Sequence, residues 1–164
     1  MNDGKDEQYT QQKERKSLSE LCELIPVSEI MTQNAVTVFE SDPIEHVMEL
    51  MATKTHHSYP VLDENGELKG IVDQDNMLEL LFFERIPRRH HTHLMAIRAL
   101  SEDVRTLMIQ HPITIPHDTN LCEASDLMIK HHVDRMCVTK DGKFAGIISK
   151  ADMIKKIVMI RGME

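Results

Sequence analysis

Hydrophobic positions along this chain switch between a helical and an alternating period, and they do so twice in the same order. Leu18, Leu21, Cys22 and Ile25 stand at helical spacing and Pro26 ends the run, so a short amphipathic helix leads into the fold. The β-branched triplet Val36-Thr37-Val38 predicts a strand. Asp42-Pro43 then opens a helix, with Asp42 suited to the N-cap and Pro43 to the first helical position. Tyr59-Pro60-Val61-Leu62 reads as a second strand and Asn65-Gly66 as a hairpin turn. Gly70-Ile71-Val72 is a third strand running into a helix from Met77. From Ile113 the order recurs: Ile113-Thr114-Ile115, a helix entered at Thr119-Asn120, Met136-Cys137-Val138-Thr139, the turn Asp141-Gly142, and Gly146-Ile147-Ile148 into a last helix.

The recurrence is a true internal repeat. VTVFESDPIEHVMELM (36–51) lies over ITIPHDTNLCEASDLM (113–128), and NGELKGIVDQDNML (65–78) over DGKFAGIISKADMI (141–154). Each unit is β-α-β-β-α, a small sheet with helices on one side, and neither is long enough to bury both faces of its sheet. The expected fold is therefore α+β, with tandem repeats packed sheet to sheet about a pseudo-two-fold axis that leaves a cleft between them. The boundaries read as a polar flexible N-terminus (1–16), a first unit with its leading helix (17–84), a basic connecting loop (85–93) and a second unit (94–160). Pro87 breaks the helix begun at Met77, and Leu94, Ile97, Leu100, Val104 and Leu107 predict the second leading helix.

Composition narrows the function classes. Nineteen Lys and Arg against 27 Asp and Glu give a formal charge of −8, which opposes nucleic-acid binding, a task that needs a basic footprint. With no Trp, two Tyr and four Phe there is little to stack bases on. The three cysteines, Cys22, Cys122 and Cys137, are widely spaced and odd in number, which argues against a disulfide framework and for a reducing compartment. No apolar run is long enough for a membrane span and residues 1–16 are too polar for a signal peptide, so the expected location is the cytoplasm. No HExxH, glycine-rich phosphate cradle or activated nucleophile appears, and no enzyme is expected.

The repeated residues resemble the CBS-domain pair, or Bateman module. The features shared are Ile30-Met31 and Leu107-Met108 at the openings, the V-T-V and I-T-I strands, a central helix ending in Met, and the segment YPVLDENGELKGIV. A closing G-h-h-[ST]-x-x-D, with h hydrophobic, completes the pattern. The resemblance covers roughly residues 27–160. It implies a regulatory module that binds adenosine-containing ligands (AMP, ADP, ATP or S-adenosylmethionine relatives) in clefts between the sheets. The Ser and Asp of the closing motif would hold the ribose, and main chain at the start of the second strand the adenine. Pairing of two modules through their helices is implied as well.

Carried onto this chain, the ligand-binding set is Ser149 and Asp152 with Ile113, Thr114, Val133, Asp134, Arg135 and Met136. A carboxylate at the first turn of a helix can accept two hydrogen bonds from a vicinal diol. Ser149 and Asp152 also fit a helix capping box, and one pair of residues can serve both purposes. The first unit carries Asp73 and Asn76 there, with His57, Ser58 and Tyr59 nearby. Lacking the charged acceptor, it is expected to be the weaker site. Arg135 is placed either to meet a phosphate or as a solvated strand end. Arg85, Arg88, Arg89, His90, His91 and His93 form a basic knot with three readings. Arg88 and Arg89 collect phosphate, His90, His91 and His93 bind a metal, or the segment is a solvated loop.

The sequence thus predicts a non-catalytic sensor of an adenine nucleotide or S-adenosylmethionine-type ligand, with no cofactor required. Leu78, Leu80, Leu81, Phe82 and Phe83 give one helix more apolar surface than its own core needs, which predicts a homodimer. A separate regulated protein is the remaining expected partner. The competing readings are a structural dimerisation scaffold without ligand and a metal-binding protein built on the His-rich loop.

Overall fold

The computed structural model describes residues 18–82 and 102–161. The first unit follows α1 (Leu18–Leu24) and a 3-10 turn (Val27–Glu29). It comprises β1 (Val38–Phe39), α2 (Ile44–Thr53), β2 (Ser58–Leu62), β3 (Leu68–Asp73) and α3 (Gln74–Leu81). The second opens with α4 (Val104–Leu107) and β4 (Ile109–Gln110). It continues through β5 (Thr114–Pro116), α5 (Leu121–His131), β6 (Arg135–Lys140), β7 (Lys143–Ser149) and α6 (Lys150–Arg161). In each unit the first strand runs parallel to the second and the hairpin is antiparallel. The tandem repeats pack sheet to sheet about a pseudo-two-fold axis.

Strand alternation sorts the side chains into two layers. Tyr59, Val61 and Val72 turn toward the helices and join Val47 and Met77 in one core. Met136, Val138 and Ile148 do the same with Met128 and Met153. The alternate positions Ile71, Cys137 and Ile147 face the cleft.

The lead-in segments cross over. β4 pairs with β3, setting Ile109 against Ile71, and Thr32 pairs with Ile147 at the edge of the other sheet. Cys22, Ile25, Val27, Ile30 and Met31 belong to the second core, whereas Val104, Leu107 and Met108 belong to the first. Chain order had grouped each lead-in with the unit it precedes; packing groups it with the other. Two equivalent glycines permit this, because a Cβ on Gly146 would sit 2.6 Å from Thr32 O and one on Gly70 would sit 2.8 Å from Ile109 O.

Two expectations are corrected. Asp42 does not cap α2. Its carboxylate accepts from Phe39 N at 2.8 Å, Pro43 stands at the N-cap, and the first helical N–H, Ile44, donates to Glu102 O at 3.0 Å. The segment leading into α4 satisfies that end instead. Asn120 does cap α5, accepting from Glu123 N at 2.9 Å. The second correction is that Cys22 and Cys122 form a disulfide, with Cα atoms 5.3 Å apart and 100 residues between them in sequence. The expectation that the cysteines form no disulfide framework fails for this pair, and with it the argument for a reducing compartment. Phe83, Arg85, Pro87, Arg88, Arg89, His90, His91, His93 and residues 1–16 lie outside the described residues.

Candidate functional site

Each hairpin ends in a residue that caps the helix after it. Ser149 closes β7, and its N–H and hydroxyl both donate to Asp152 Oδ2, at 2.9 and 2.6 Å. Asp152 N in turn donates to Ser149 Oγ at 3.2 Å. Among the described residues nothing bonds Asp152 Oδ1. In the first unit Asn76 N donates to Asp73 Oδ1 at 2.9 Å and Asp73 N to Asn76 Oδ1 at 3.4 Å. The capping-box geometry is therefore present in both units. What differs is the charge: a carboxylate with a spare oxygen in one, a buried amide in the other.

Among the described residues, two hollows lie between the sheets. The smaller, of about 170 Å³, joins Ile147, Ser149 and Asp152 of the second unit to Thr32, Ala35 and Val36 of the first lead-in. The turn Thr55–Ser58 and Arg135 complete it. The larger, of about 650 Å³, reverses the arrangement: Ile71, Asp73 and Asp75 of the first unit meet Ile109, His111, Pro112 and Ile113 of the second lead-in. The turn His132–Arg135, Cys137, the second closing motif from Ser149 to Ala151, and His57 and Ser58 with Gln74 complete its wall. The smaller hollow thus takes its closing motif from the second unit and its lead-in from the first, whereas the larger draws on the closing motifs and helix–strand turns of both.

The residues grouped from sequence are consequently divided. Ser149 and Arg135 line both hollows, and Asp152 lines the smaller. Ile113, Val133 and Asp134 line the larger, opposite Asp73. Thr114 is exposed and Met136 is buried on the helix side, and neither lines a hollow. Of the first unit's set, His57 and Ser58 line both hollows and Asp73 the larger, whereas Asn76 is buried beneath its box and Tyr59 is in the core. Thr32, Ala35, Val36, Thr55, Ile109, His111 and Pro112 were missed. A glycine inside a strand, at Gly70 and Gly146, was the signal that another backbone approaches there.

Charge is unevenly distributed. Lys150 Nζ lies 2.8 Å from Asp134 Oδ1 and holds that carboxyl below its usual range. His57 Nδ1 is 2.9 Å from Gln74 Oε1. His111 and His132 both adopt left-handed backbone, at φ 54°, a conformation that costs a non-glycine residue energy. Burial pushes the Cys137 thiol up to about 12, so this sulfur is a wall and not a nucleophile. Ser58 Oγ is buried with no hydrogen-bond partner among the described residues.

With two matching units, crossed lead-ins and two pseudo-equivalent hollows established, comparison with known proteins is decisive. The CBS domain is matched twice, over residues 27–82 and 103–159. The chain belongs to the CBS domain family. As a CBS-domain pair it resembles an uncharacterised protein of Methanocaldococcus jannaschii, 24% identical, over 90% of this chain and 35% of that one. A CBS domain-containing protein of Dictyostelium discoideum is 23% identical over 82% of this chain and 92% of that one. The chain therefore spans about a third of the archaeal relative and nearly all of the other. The crystal structure of CBSX2 in complex with AMP superposes with a TM-score of 0.70 at 26% identity, covering 83% of this chain and 98% of that one. No helix among the described residues is long and apolar enough to cross a membrane.

Proposed function

We propose that this CBS-domain pair is a non-catalytic sensor that holds an adenosine-containing ligand (AMP, ADP, ATP or an S-adenosylmethionine-type compound) in the smaller hollow. The observation that carries the reading is Asp152 Oδ1, unengaged among the described residues at the edge of a hollow whose far wall is the first unit. Oδ2 fixes the carboxylate through the helix cap, and Oδ1 is left to accept from a ribose diol. Ala35, Val36 and Ile147 offer an apolar wall to the base. The CBSX2 complex with AMP supports the ligand class.

The larger hollow is the weaker adenosine site, because Asn76 stands where Asp152 stands and does not line it. Binding in either place bridges the two units, so occupancy reaches the helices on both outer faces. On those faces α3 exposes Leu78 and Leu81 with Phe82 just beyond it, and α6 exposes Ile154 and Met159. These side chains form the homodimer surface, through which a regulated partner protein reads the ligand state. Arg88, Arg89 and the His90, His91 and His93 cluster remain candidates for phosphate and metal.

A thermal-shift panel of AMP, ADP, ATP, S-adenosylmethionine and NAD tests the function. Adenosine compounds raise the melting temperature of the wild-type chain, and Asp152→Asn removes most of the rise. No shift with any adenosine compound, in an intact dimer, would leave the structural scaffold as the function.

A further inference from the structure

The backbone bridge that carries each lead-in onto the other unit is built twice from the same bonds. In the first lead-in Val27 N donates to Thr119 O at 2.8 Å, Ser28 N donates to His117 O at 3.0 Å, and Ile25 O accepts from Leu121 N at 3.0 Å. In the second Val104 N donates to Asp42 O at 3.0 Å, Arg105 N donates to Glu40 O at 2.9 Å, and Glu102 O accepts from Ile44 N at 3.0 Å. The fastening beside the bridge differs. Arg105 and Glu40 add an ion pair to the second lead-in at 3.1 Å, where the first has Ser28 and His117. The first has the Cys22–Cys122 disulfide instead, where the sequence of the other copy has Ala99 and Glu45. One lead-in is fastened by charge and the other by a bond that can be reduced.

That bond stands directly ahead of the wall of the smaller hollow. Cys22 lies on α1, a helix of seven residues, too short to hold its shape in water without tertiary support. From Cys22 the chain runs through Ile25, Val27, Ile30 and Met31, all packed in the second core, to Thr32, Ala35 and Val36 at the hollow. Cys122 is anchored more firmly. It lies in the first turn of the 11-residue α5, beside buried Leu121 and behind the N-cap Asn120, which accepts from Glu123 N. Cys22 and Cys122 are half-buried, which leaves their sulfurs within reach of a small reductant, whereas Cys137 is fully buried.

We propose that Cys22–Cys122 is a reversible redox latch on the smaller hollow, whose reduction releases the first lead-in and lowers affinity for the adenosine ligand. This rests on the adenosine-sensor reading and specifies its regulation. The reductant is a dithiol. One of its thiolates attacks a sulfur of the disulfide, forming a mixed disulfide and expelling the other cysteine as a thiolate, which takes up a proton. The reductant's second thiol then attacks the mixed disulfide and closes its own disulfide, and the released cysteine takes the second proton. The chain gains two electrons and two protons, and the dithiol loses them. Without the tether α1 depends on packing and hydrogen bonds, and it opens locally while the strands stay folded. A hollow whose wall is in place in only a fraction of molecules binds with its affinity reduced by that fraction. The Arg105–Glu40 pair fastens the other lead-in, and a reductant leaves it intact.

Calorimetry of the full chain with AMP, before and after treatment with dithiothreitol, tests this, with hydrogen exchange read on the same samples. The oxidised chain binds AMP about tenfold or more tighter than the reduced chain, as if the wall were assembled in about one reduced molecule in ten. Reoxidation restores the affinity, and the double variant Cys22→Ser, Cys122→Ser binds as the reduced chain does under both conditions. On reduction, protection from exchange falls over residues 18–36, while β2, β3, β6 and β7 stay protected. Equal AMP affinity in the two states overturns the latch and leaves the sensor standing. Protection lost from the four strands as well also overturns the latch, because the bond then holds the whole fold. Absence of AMP binding in both states overturns the sensor and the latch together.

Discussion

Thr32 and Ile147 exchange backbone hydrogen bonds, Thr32 N to Ile147 O at 2.8 Å and Ile147 N to Thr32 O at 3.0 Å. This bridge ties the segment ahead of the first unit to the sheet of the second, and carries Ala35 and Val36 to the wall of the smaller hollow. The smaller hollow is consequently shared between the repeats. Either unit alone has half of each hollow.

The bridge depends on the missing side chain of Gly146. In Gly146→Ala the new Cβ falls 2.6 Å from Thr32 O and 3.2 Å from Met31 Sδ. The backbone must move, at a cost of about 1–3 kcal/mol in stability. Urea denaturation measures that loss. Because the displaced strand lines the smaller hollow, AMP binding weakens as well, and a Gly146→Ala variant with wild-type stability and affinity would contradict the crossing.

The disulfide makes a second prediction. Cys22–Cys122 closes a span of 100 residues and fastens α1 to the first turn of α5. Reduction, or Cys22→Ser, lowers stability by about 2–5 kcal/mol, since the unfolded chain regains the freedom of a long loop. Denaturation with and without reductant reads the difference. A thiol count gives an independent check: Cys137 alone reacts in the unfolded unreduced chain, and none reacts in the native state, where that thiol is buried and protonated.

The apolar outer face makes a third. Leu78, Phe82 and Met159 are each about half exposed, and Ile154 more so. Phe82→Glu places a charge where a dimer would bury an aromatic ring, so sedimentation shows wild-type dimer and variant monomer at micromolar concentration. A wild type that sediments as a monomer there removes the dimer from the proposal.

Much of the architecture was legible because its signals are local. The three-strand and two-helix order, the Asn65-Gly66 and Asp141-Gly142 hairpins and the capping pairs at 73/76 and 149/152 each depend on residues within a few positions of one another. Legibility ended where the partner is distant. The helical spacing at the N-terminal end announces one apolar face but not what covers it, and Cys22 and Ile25 pack in the core that α5 joins. Two cysteines 100 residues apart carry no mark of their pairing. Asp152 was readable from its motif as a candidate ribose ligand, and it lines the smaller hollow. Ala35 and Val36, which complete its hollow, were not, since their membership follows from the crossing. Asp42 fits a capping pattern and serves another N–H, because Glu102 had already taken the helix end.

The central claim is that Asp152 binds the ribose and Asn76 does not, and calorimetry on Asp152→Asn against Asn76→Ala tests it most directly. Asn76 itself shows that an amide can keep the cap, accepting from Asp73 N at 3.4 Å, so Asp152→Asn retains its fold. It exchanges a charge-assisted bond of roughly 1.5–3 kcal/mol for a neutral one of about 1. The predicted result is a loss of about tenfold in AMP affinity. Asn76→Ala loses its box and some stability, yet binds AMP within about twofold of wild type, a shift well below the 1.4 kcal/mol that separates decades. Wild-type affinity in Asp152→Asn, with binding abolished in Asn76→Ala, would contradict the assignment and move the site to the larger hollow.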